Sequence, residues 1–174
     1  MAFLGASLPV SADQNDPKLD GLFKRLLAAK NVEIAAQIET DIWAIWVHRG
    51  DARIDRHMGL GIRAMHAGAF HLSLREFSKV IELDSDFAEG WNKRATVHYM
   101  MGNLEKSAMD IEHTLALEPR HYGAISGMGL IFEKTDNISG ALKAWQHVLK
   151  FTPLNQTVQK RVQELKRQLL GKPI

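Results

Sequence analysis

The sequence predicts an all-helical solenoid built from stacked helix-turn-helix units. Residues 88–121 align without gaps on residues 54–87 and on residues 122–155, so one pattern recurs with a period of 34 residues. A fixed period of this size indicates small supersecondary units that share one continuous core. The length of 174 residues and the hydrophobic fraction of 45% suit one such array. The chain contains no cysteine, which excludes disulfides and thiolate metal sites.

Each of the three units is predicted to form two antiparallel helices, because small and large residues face each other at fixed places. The eighth residue of each unit is small: Gly61, Ala95 and Gly129. The residue sixteen places later is large: Phe77, Ile111 and Trp145. A small residue opposite a large one lets two helices approach closely. Gly68 and Gly102 then mark the turns between the helices, and an Asp-Asn pair takes that place in the third unit.

Residues 19–53 are predicted to form a helical pair outside the strict period. Asp16 and Pro17 suit a helix start, since aspartate caps a helix and proline is tolerated in its first turn. The pair resembles a degenerate repeat whose second helix is about one turn longer. Trp43 and Trp46 lie on that second helix, and we expect them to be buried against the first regular repeat. The alternative is that they form an aromatic anchor for a partner.

Residues 156–174 are predicted to form a C-terminal capping helix and a short tail. Four apolar residues fall on one stripe of this helix: Val158, Val162, Leu165 and Leu169. A solenoid end exposes an apolar face, and a helix with one polar side covers it. The basic residues of this segment are therefore interpreted as the solvated side of the cap.

Residues 1–18 admit two interpretations. Residues 1–12 carry no charge and end in Val-Ser-Ala, which resembles the pattern before a signal-peptidase cleavage site, although the basic start of a complete signal is lacking. The apolar stretch is too short to span a membrane. The segment is either the remnant of a signal peptide, which favours a periplasmic or cell-envelope location, or a flexible tail, which is compatible with the cytoplasm.

The repeated pattern resembles the tetratricopeptide repeat (TPR). Seven residues occupy its motif places in the second unit: Trp91, Gly102, Leu104, Ser107, Ile111, Thr114 and Pro119. Arg94 and His98 depart from the pattern, since apolar and large aromatic side chains are usual there. The resemblance implies a right-handed α-solenoid with three regular repeats at 54–155. Taken whole, the chain is similar to small alphaproteobacterial TPR proteins of the cell envelope, which implies a scaffold role there.

The same resemblance implies that the first helices of the units line a concave face on which a partner binds. Projecting the helical period places nine candidate residues on that face: Met58, Ile62, Met65, Asn92, Thr96, Tyr99, Met100, Ser126 and Glu133. Methionine-bearing surfaces adapt to varied partners. Some members of the family clamp a carboxylate terminus with lysine, asparagine and arginine. Here Asn92 is the only matching residue type, so we predict no such clamp.

Neither catalytic chemistry nor a cofactor is predicted. The eight histidines form no HExxH motif and no pair at i and i+4, so we expect no metal site. A net charge of +2 without a basic stripe argues against nucleic acid as a partner. The sequence therefore predicts a non-enzymatic interaction module that binds a protein or peptide. The alternative is a self-assembling homodimer that uses the tryptophan-bearing helix or the C-terminal helix.

Overall fold

The computed structural model describes residues 13–171, and within that range all regular secondary structure is helical. The helices are α1 (Lys18–Leu27), α2 (Val32–Val47), α3 (Ala52–His66), α4 (Phe70–Leu83), α5 (Ala88–Met100), α6 (Leu104–Leu117), α7 (Tyr122–Lys134), α8 (Ile138–Phe151) and α9 (Gln156–Leu169). The predicted all-helical fold is confirmed. The interpretation of residues 1–12 as a signal remnant or a tail lies outside the described residues.

The pairs α3–α4, α5–α6 and α7–α8 are the three regular repeats, and close contact between small and large residues holds each pair together. A Cβ atom placed on Gly61 would lie 2.5 Å from a ring carbon of Phe77, and one on Gly129 would lie 2.9 Å from the indole of Trp145. The predicted opposition of small and large side chains is therefore present in the first and third repeats. It brings the two helix axes close enough for a shared core.

The turns inside the repeats use the left-handed backbone that the sequence pattern predicts. Gly68 and Gly102 have φ angles of 72° and 80°, and Asp136 takes the equivalent place in the third repeat with a φ of 56°. Aspartate is one of the few residues other than glycine that adopt this conformation at low cost. The substitution in the third repeat therefore preserves the geometry of the turn.

Helices α1 and α2, which we call the N-terminal hairpin, do not stack on the first repeat. Helix α2 packs on α5 and α1 packs on α8, so the hairpin crosses the array. The ring of Trp46 stacks on that of His121 at a centroid distance of 4.2 Å. The expectation that Trp43 and Trp46 are buried against the first repeat is wrong, because they pack against the start of the third. Gly123 leaves room for the Trp43 indole there, since a Cβ atom would come within 2.6 Å of it.

Ion pairs join both ends of the N-terminal hairpin to the repeats. Arg49, just after α2, pairs with Asp13 and with Asp84 at the end of α4. At the other end, Arg120 forms a 2.6 Å ion pair with Asp20 and lies 4.7 Å from the ring centroid of Phe23. One buried apolar cluster accordingly joins the hairpin to α7, α8 and α9, while a second lies mainly within the first repeat.

Helix α9 covers the end of the array. Val158, Val162 and Leu165 are buried in the cluster shared with α7 and α8, whereas Leu169 at the end of the predicted stripe is half exposed. No helix within residues 13–171 has the length and apolar character that a bilayer crossing requires.

Candidate functional site

The concave face is formed by α3, α5 and α7, and α9 continues the row. A cavity of about 130 Å³ lies between α5 and α7, and its lining includes Thr96, Tyr99 and Ser126. A second cavity of about 430 Å³ lies between α7 and α9, and its lining includes Thr157 and Arg161. Leu130 lines both cavities, so the two adjoin at this residue. We call the two adjoining cavities the open groove.

Hydroxyl groups at the middle of the open groove leave acceptor positions free for a ligand. The Thr96 hydroxyl donates to the Asn92 carbonyl at 2.9 Å, and the Ser126 hydroxyl donates to the Tyr122 carbonyl at 2.7 Å. A hydroxyl that donates within its own helix keeps its oxygen lone pairs as acceptors. Two acceptors beside the apolar Leu130 can receive backbone N–H groups of an extended chain.

Charged side chains border the open groove. The ammonium of Lys134 lies 5.3 Å from the ring centroid of Tyr99, a distance at which cation and ring attract each other. Arg161 forms ion pairs with Glu133 at 3.0 Å and with Glu164 at 3.7 Å. Glu133 also accepts a hydrogen bond from the Trp145 indole, so it links α7, α8 and α9. Glu133 is partly accessible and its carboxylate is engaged by Trp145 and Arg161, so its contact with a partner stays a prediction.

The predicted residues of the first repeat lie away from the open groove. Met58 is 1% exposed and belongs to the buried cluster that includes Ile54 and Phe77. Its placement on an accessible face is therefore wrong. Ile62 and Met65 are partly buried against the same cluster. Their side chains extend the core of the first repeat.

Asn92 lines the cavity between α5 and α7, and its side chain also belongs to a buried polar network, so its role in binding stays a prediction. It is 6% exposed, and its amide donates to Glu89 at 2.8 Å. The Glu89 carboxylate also lies 2.9 Å from the Lys93 ammonium and 2.9 Å from Nε2 of His121. Nδ1 of His121 accepts from the Ala124 N–H, which leaves the ring proton on Nε2, facing Glu89.

The charge of Glu89 is stabilised by its neighbours. Burial by itself raises the pKa of this carboxyl, but the Lys93 ammonium and the hydrogen bond from His121 outweigh burial and hold the pKa below its ordinary value. Glu89 is thus an ionised group inside the protein. Sequence reasoning missed this network because Glu89 and His121 stand at opposite ends of the unit 88–121, 32 residues apart, and no shared motif links them.

The N-terminal hairpin closes part of the concave face. The Trp43 indole lies under the Lys93 ammonium, at 5.2 Å from the ring centroid, and against Gly123 at the start of α7. The accessible part of the face therefore begins beside Asn92 and runs toward the C-terminal ends of α5 and α7. Met100, half exposed at the end of α5, lies at its margin.

Groups of three or more histidine, aspartate or glutamate side chains with metal-binding geometry do not occur between residues 13 and 171.

Comparison with known proteins identifies the family. A TPR repeat-containing protein of Rhizobium etli is 38% identical over 154 residues, which cover 88% of this chain and 76% of that protein. No protein-family model matches the chain. The chain belongs to the TPR family, as the repeat pattern predicts.

Solved structures support the same fold. The first TPR domain of Spaghetti (RPAP3), bound to the HSP90 peptide SRMEEVD, is similar with a TM-score of 0.64 and 16% identity, over 68% of this chain and 94% of that one. The Sgt2 TPR domain of Aspergillus fumigatus is similar with a TM-score of 0.64 and 18% identity, over 71% and 87%. TPR domains are protein-interaction modules, and this chain has their architecture.

Proposed function

We propose that this chain is a non-enzymatic interaction module that holds an extended segment of a partner protein in the open groove. The observation that carries the proposal is that two cavities, one beside Tyr99 on α5 and one beside Arg161 on α9, adjoin at Leu130. An extended segment bound there can place an apolar side chain on Leu130 and donate backbone hydrogen bonds to Thr96 and Ser126.

The TPR domain of Spaghetti, with its bound HSP90 peptide, supports a peptide ligand for this fold. The details of the groove support a different mode from a carboxylate clamp. Asn92, the single residue of matching type, is buried against Glu89, and Met58 is buried in the first repeat. We therefore propose recognition along the backbone of the partner segment, without dependence on a free C-terminus.

A site-specific crosslinking experiment tests the groove. A photoreactive residue at position 126 should crosslink one partner in cells of the native organism, and the crosslinked peptide identifies the bound segment. The matched control is a photoreactive residue at position 109, because Met109 is strongly exposed on α6 and lies outside the groove lining. Equal crosslinking of the same partner from both positions would contradict the proposal.

The identified segment, made as a synthetic peptide, then allows a direct measurement. Thr96→Arg combined with Ser126→Arg places two long charged side chains in the groove. The affinity of this double variant for the peptide should fall at least about tenfold, because charged groups replace desolvated contacts. Met109→Arg should bind the peptide like the wild type. Both variants should keep the helical circular dichroism signal, since all three positions are at least partly accessible.

A homodimer through α9 is a second candidate, and its supporting observation is the exposure of Leu169 and Leu170 at 51% and 69%. The alternative route through the tryptophan-bearing helix is disfavoured, because Trp46 is buried inside the chain. Light scattering at low and high protein concentration tests the candidate. A dimer that dissociates in Leu169→Lys with Leu170→Lys would favour it over the monomeric module.

A periplasmic or cell-envelope location is also a proposal, and it rests on the uncharged residues 1–12 that end in Val-Ser-Ala. Under this proposal the protein isolated from the native organism begins at Asp13 and fractionates with the envelope. N-terminal sequencing of the isolated protein tests this proposal. A chain that retains residues 1–12 and is found in the cytoplasmic fraction would contradict an envelope location.

A further inference from the structure

The second repeat fills the space between its two helices and α4 with its own polar and aromatic side chains. The ring of His113 stacks on Trp91 at a centroid distance of 4.3 Å, and the Arg94 guanidinium lies 5.0 Å from the same centroid. Arg94 also donates two hydrogen bonds of 2.8 Å to Asp110, and His98 lies 4.0 Å from that carboxylate. The departures from the family pattern at Arg94 and His98 therefore belong to one assembly around Trp91 and Asp110.

The third repeat leaves the equivalent space open. Ile125, Met128 and Ala144 lie 34 residues after Trp91, Arg94 and Asp110, and all three are smaller or uncharged. A cavity of about 440 Å³ results, which we call the α7–α8 pocket. Its lining consists of Leu115, Ile125, Met128, Phe132, Gly140, Lys143, Ala144 and His147.

The α7–α8 pocket is separate from the open groove. Ile125, Met128 and Phe132 lie on one side of α7, whereas Ser126 and Leu130 lie on the opposite side. The pocket has an apolar floor, and exposed Lys143 and His147 stand at its rim. None of its lining residues is acidic, so its rim favours a negatively charged ligand.

We propose that the α7–α8 pocket receives a tryptophan side chain from a partner segment in which that side chain is flanked by carboxylates. The guest ring takes the place that Trp91 occupies in the second repeat, with the Met128 thioether on one side and the His147 imidazole on the other. Thioether and imidazole groups both contact aromatic rings favourably. A guest carboxylate pairs with Lys143, and so supplies the charge that Ala144 does not provide.

The chain itself has no free tryptophan to fill the pocket. Each of its four tryptophans contacts other residues of the same chain: Trp43 and Trp46 at the N-terminal hairpin, Trp91 with His113, and Trp145 with Glu133. A second copy offers the same four engaged rings. These contacts favour a different protein as the partner, and the inference stands independently of the function proposed for the open groove.

Titration of the full-length, ¹⁵N-labelled protein with a blocked peptide, N-acetyl-Asp-Trp-Asp-amide, tests this inference. The amide resonances of Gly140 and Lys143 should shift with saturation, and the dissociation constant should be on the order of 1 mM, as expected for one buried side chain with one ion pair. The corresponding Asp-Ala-Asp and Lys-Trp-Lys peptides should each bind about tenfold more weakly or worse.

Three variants sharpen the titration. Ile125→Trp with Met128→Arg and Ala144→Asp transfers the assembly of the second repeat into the third, and saturable binding of the Asp-Trp-Asp peptide should be lost. Met109→Arg, on the exposed side of α6 and outside the lining of both the pocket and the open groove, is the matched control and should leave this binding unchanged. Should the triple variant fail to fold, the exposed Lys143→Glu serves in its place and should reverse the preference toward the Lys-Trp-Lys peptide.

Three results would overturn the inference. The first is the absence of saturable shifts with the Asp-Trp-Asp peptide. The second is equal affinity for the Asp-Ala-Asp peptide, because it would remove the role of the ring. The third is a shift of Gly140 and Lys143 on simple dilution of the protein, which would assign the pocket to a second copy of this chain.

Discussion

The seam between the N-terminal hairpin and the third repeat differs in chemistry from the seams between regular repeats. Between the first two repeats, an added Cβ on Gly90 would lie 2.7 Å from Val80, so a small residue fits against an aliphatic one. At the hairpin seam, Trp46 contacts the rings of Phe23, His121 and Tyr122 at centroid distances of 6.0, 4.2 and 5.2 Å. The seam between the first two repeats is thus a small residue packed against an aliphatic one. The hairpin seam consists of aromatic rings that pack beside the buried charge of Glu89.

The two seams differ because different features of the sequence determine their contacts. Successive repeats present the same faces to each other, so one pattern of small and large residues suffices for each junction. The hairpin meets surfaces that no other element meets, and aromatic rings with preferred contact angles define a single docking position there. The hairpin also removes part of the concave face from access, which confines the open groove to the part of α5 from Asn92 onward.

The largest expected effect separates the two seams directly. Trp46→Ala removes an indole that is 1% exposed, and we expect the free energy of unfolding to fall by about 3–5 kcal/mol. Trp91→Ala is the control, because that ring is only partly buried at the surface of the second repeat. Urea unfolding followed by circular dichroism measures both. Equal losses for the two variants would show that the hairpin seam is no tighter than the repeat surface.

The second prediction concerns the charge beneath the hairpin. Glu89→Gln removes the ionised partner of Lys93 and His121, and we expect a loss of about 3 kcal/mol at pH 7. The folded-state pKa of Glu89 lies below its ordinary value of 4.5. The ionised form therefore stabilises the fold above that value, and its contribution is lost as the pH falls through the folded-state pKa.

The pH dependence distinguishes this charge from a general effect of the substitution. The difference in unfolding free energy between wild type and Glu89→Gln should stay constant from neutral pH to about pH 5 and narrow below pH 4.5. Glu112→Gln, at an exposed position on α6, should have the same unfolding free energy as the wild type throughout this pH range. Urea titrations at a series of pH values measure the difference, and a gap that persists in acid would contradict an ionised Glu89.

The third prediction compares two glycines, one at the hairpin seam and one outside it. Gly123→Ala places a methyl group 2.6 Å from the Trp43 ring, and overpacking of this kind costs about 1–3 kcal/mol. Gly21 on α1 has no atom within 4 Å of an added Cβ, so Gly21→Ala should stabilise the helix by about 0.5–1 kcal/mol. Thermal unfolding should move in opposite directions for the two variants, and a destabilised Gly21→Ala would mean that the outer face of α1 is covered.

The smallest expected effect is at Tyr122. Its hydroxyl is buried and has no hydrogen-bond partner among residues 13–171. Burial raises the pKa of this phenol, and the nearby carboxylates of Glu39 and Glu89 raise it further. Tyr122→Phe removes an unsatisfied polar group while keeping the ring, so the unfolding free energy should stay unchanged or rise by up to about 1 kcal/mol. A fall in the unfolding free energy by more than about 1 kcal/mol would show that the hydroxyl has a hydrogen-bond partner.

The repeats could be predicted because their structure depends on contacts within one period. The match between Gly61 and Phe77, and the left-handed turns at Gly68, Gly102 and Asp136, follow from residues close in sequence. The same helical period placed Thr96, Tyr99 and Ser126 on the side of α5 and α7 that lines the open groove. Their role in binding stays a prediction.

The sequence by itself determined the family, the helices and the phase of the repeats, since these recur and so can be recognised in a single chain. Only the tertiary structure decided where the N-terminal hairpin docks, because the contact of Trp46 with His121 joins residues 75 positions apart and no periodic pattern records it. The same contact surface buries Asn92 with Glu89. The α7–α8 pocket likewise emerged only in three dimensions, where smaller side chains leave a space that the preceding repeat fills.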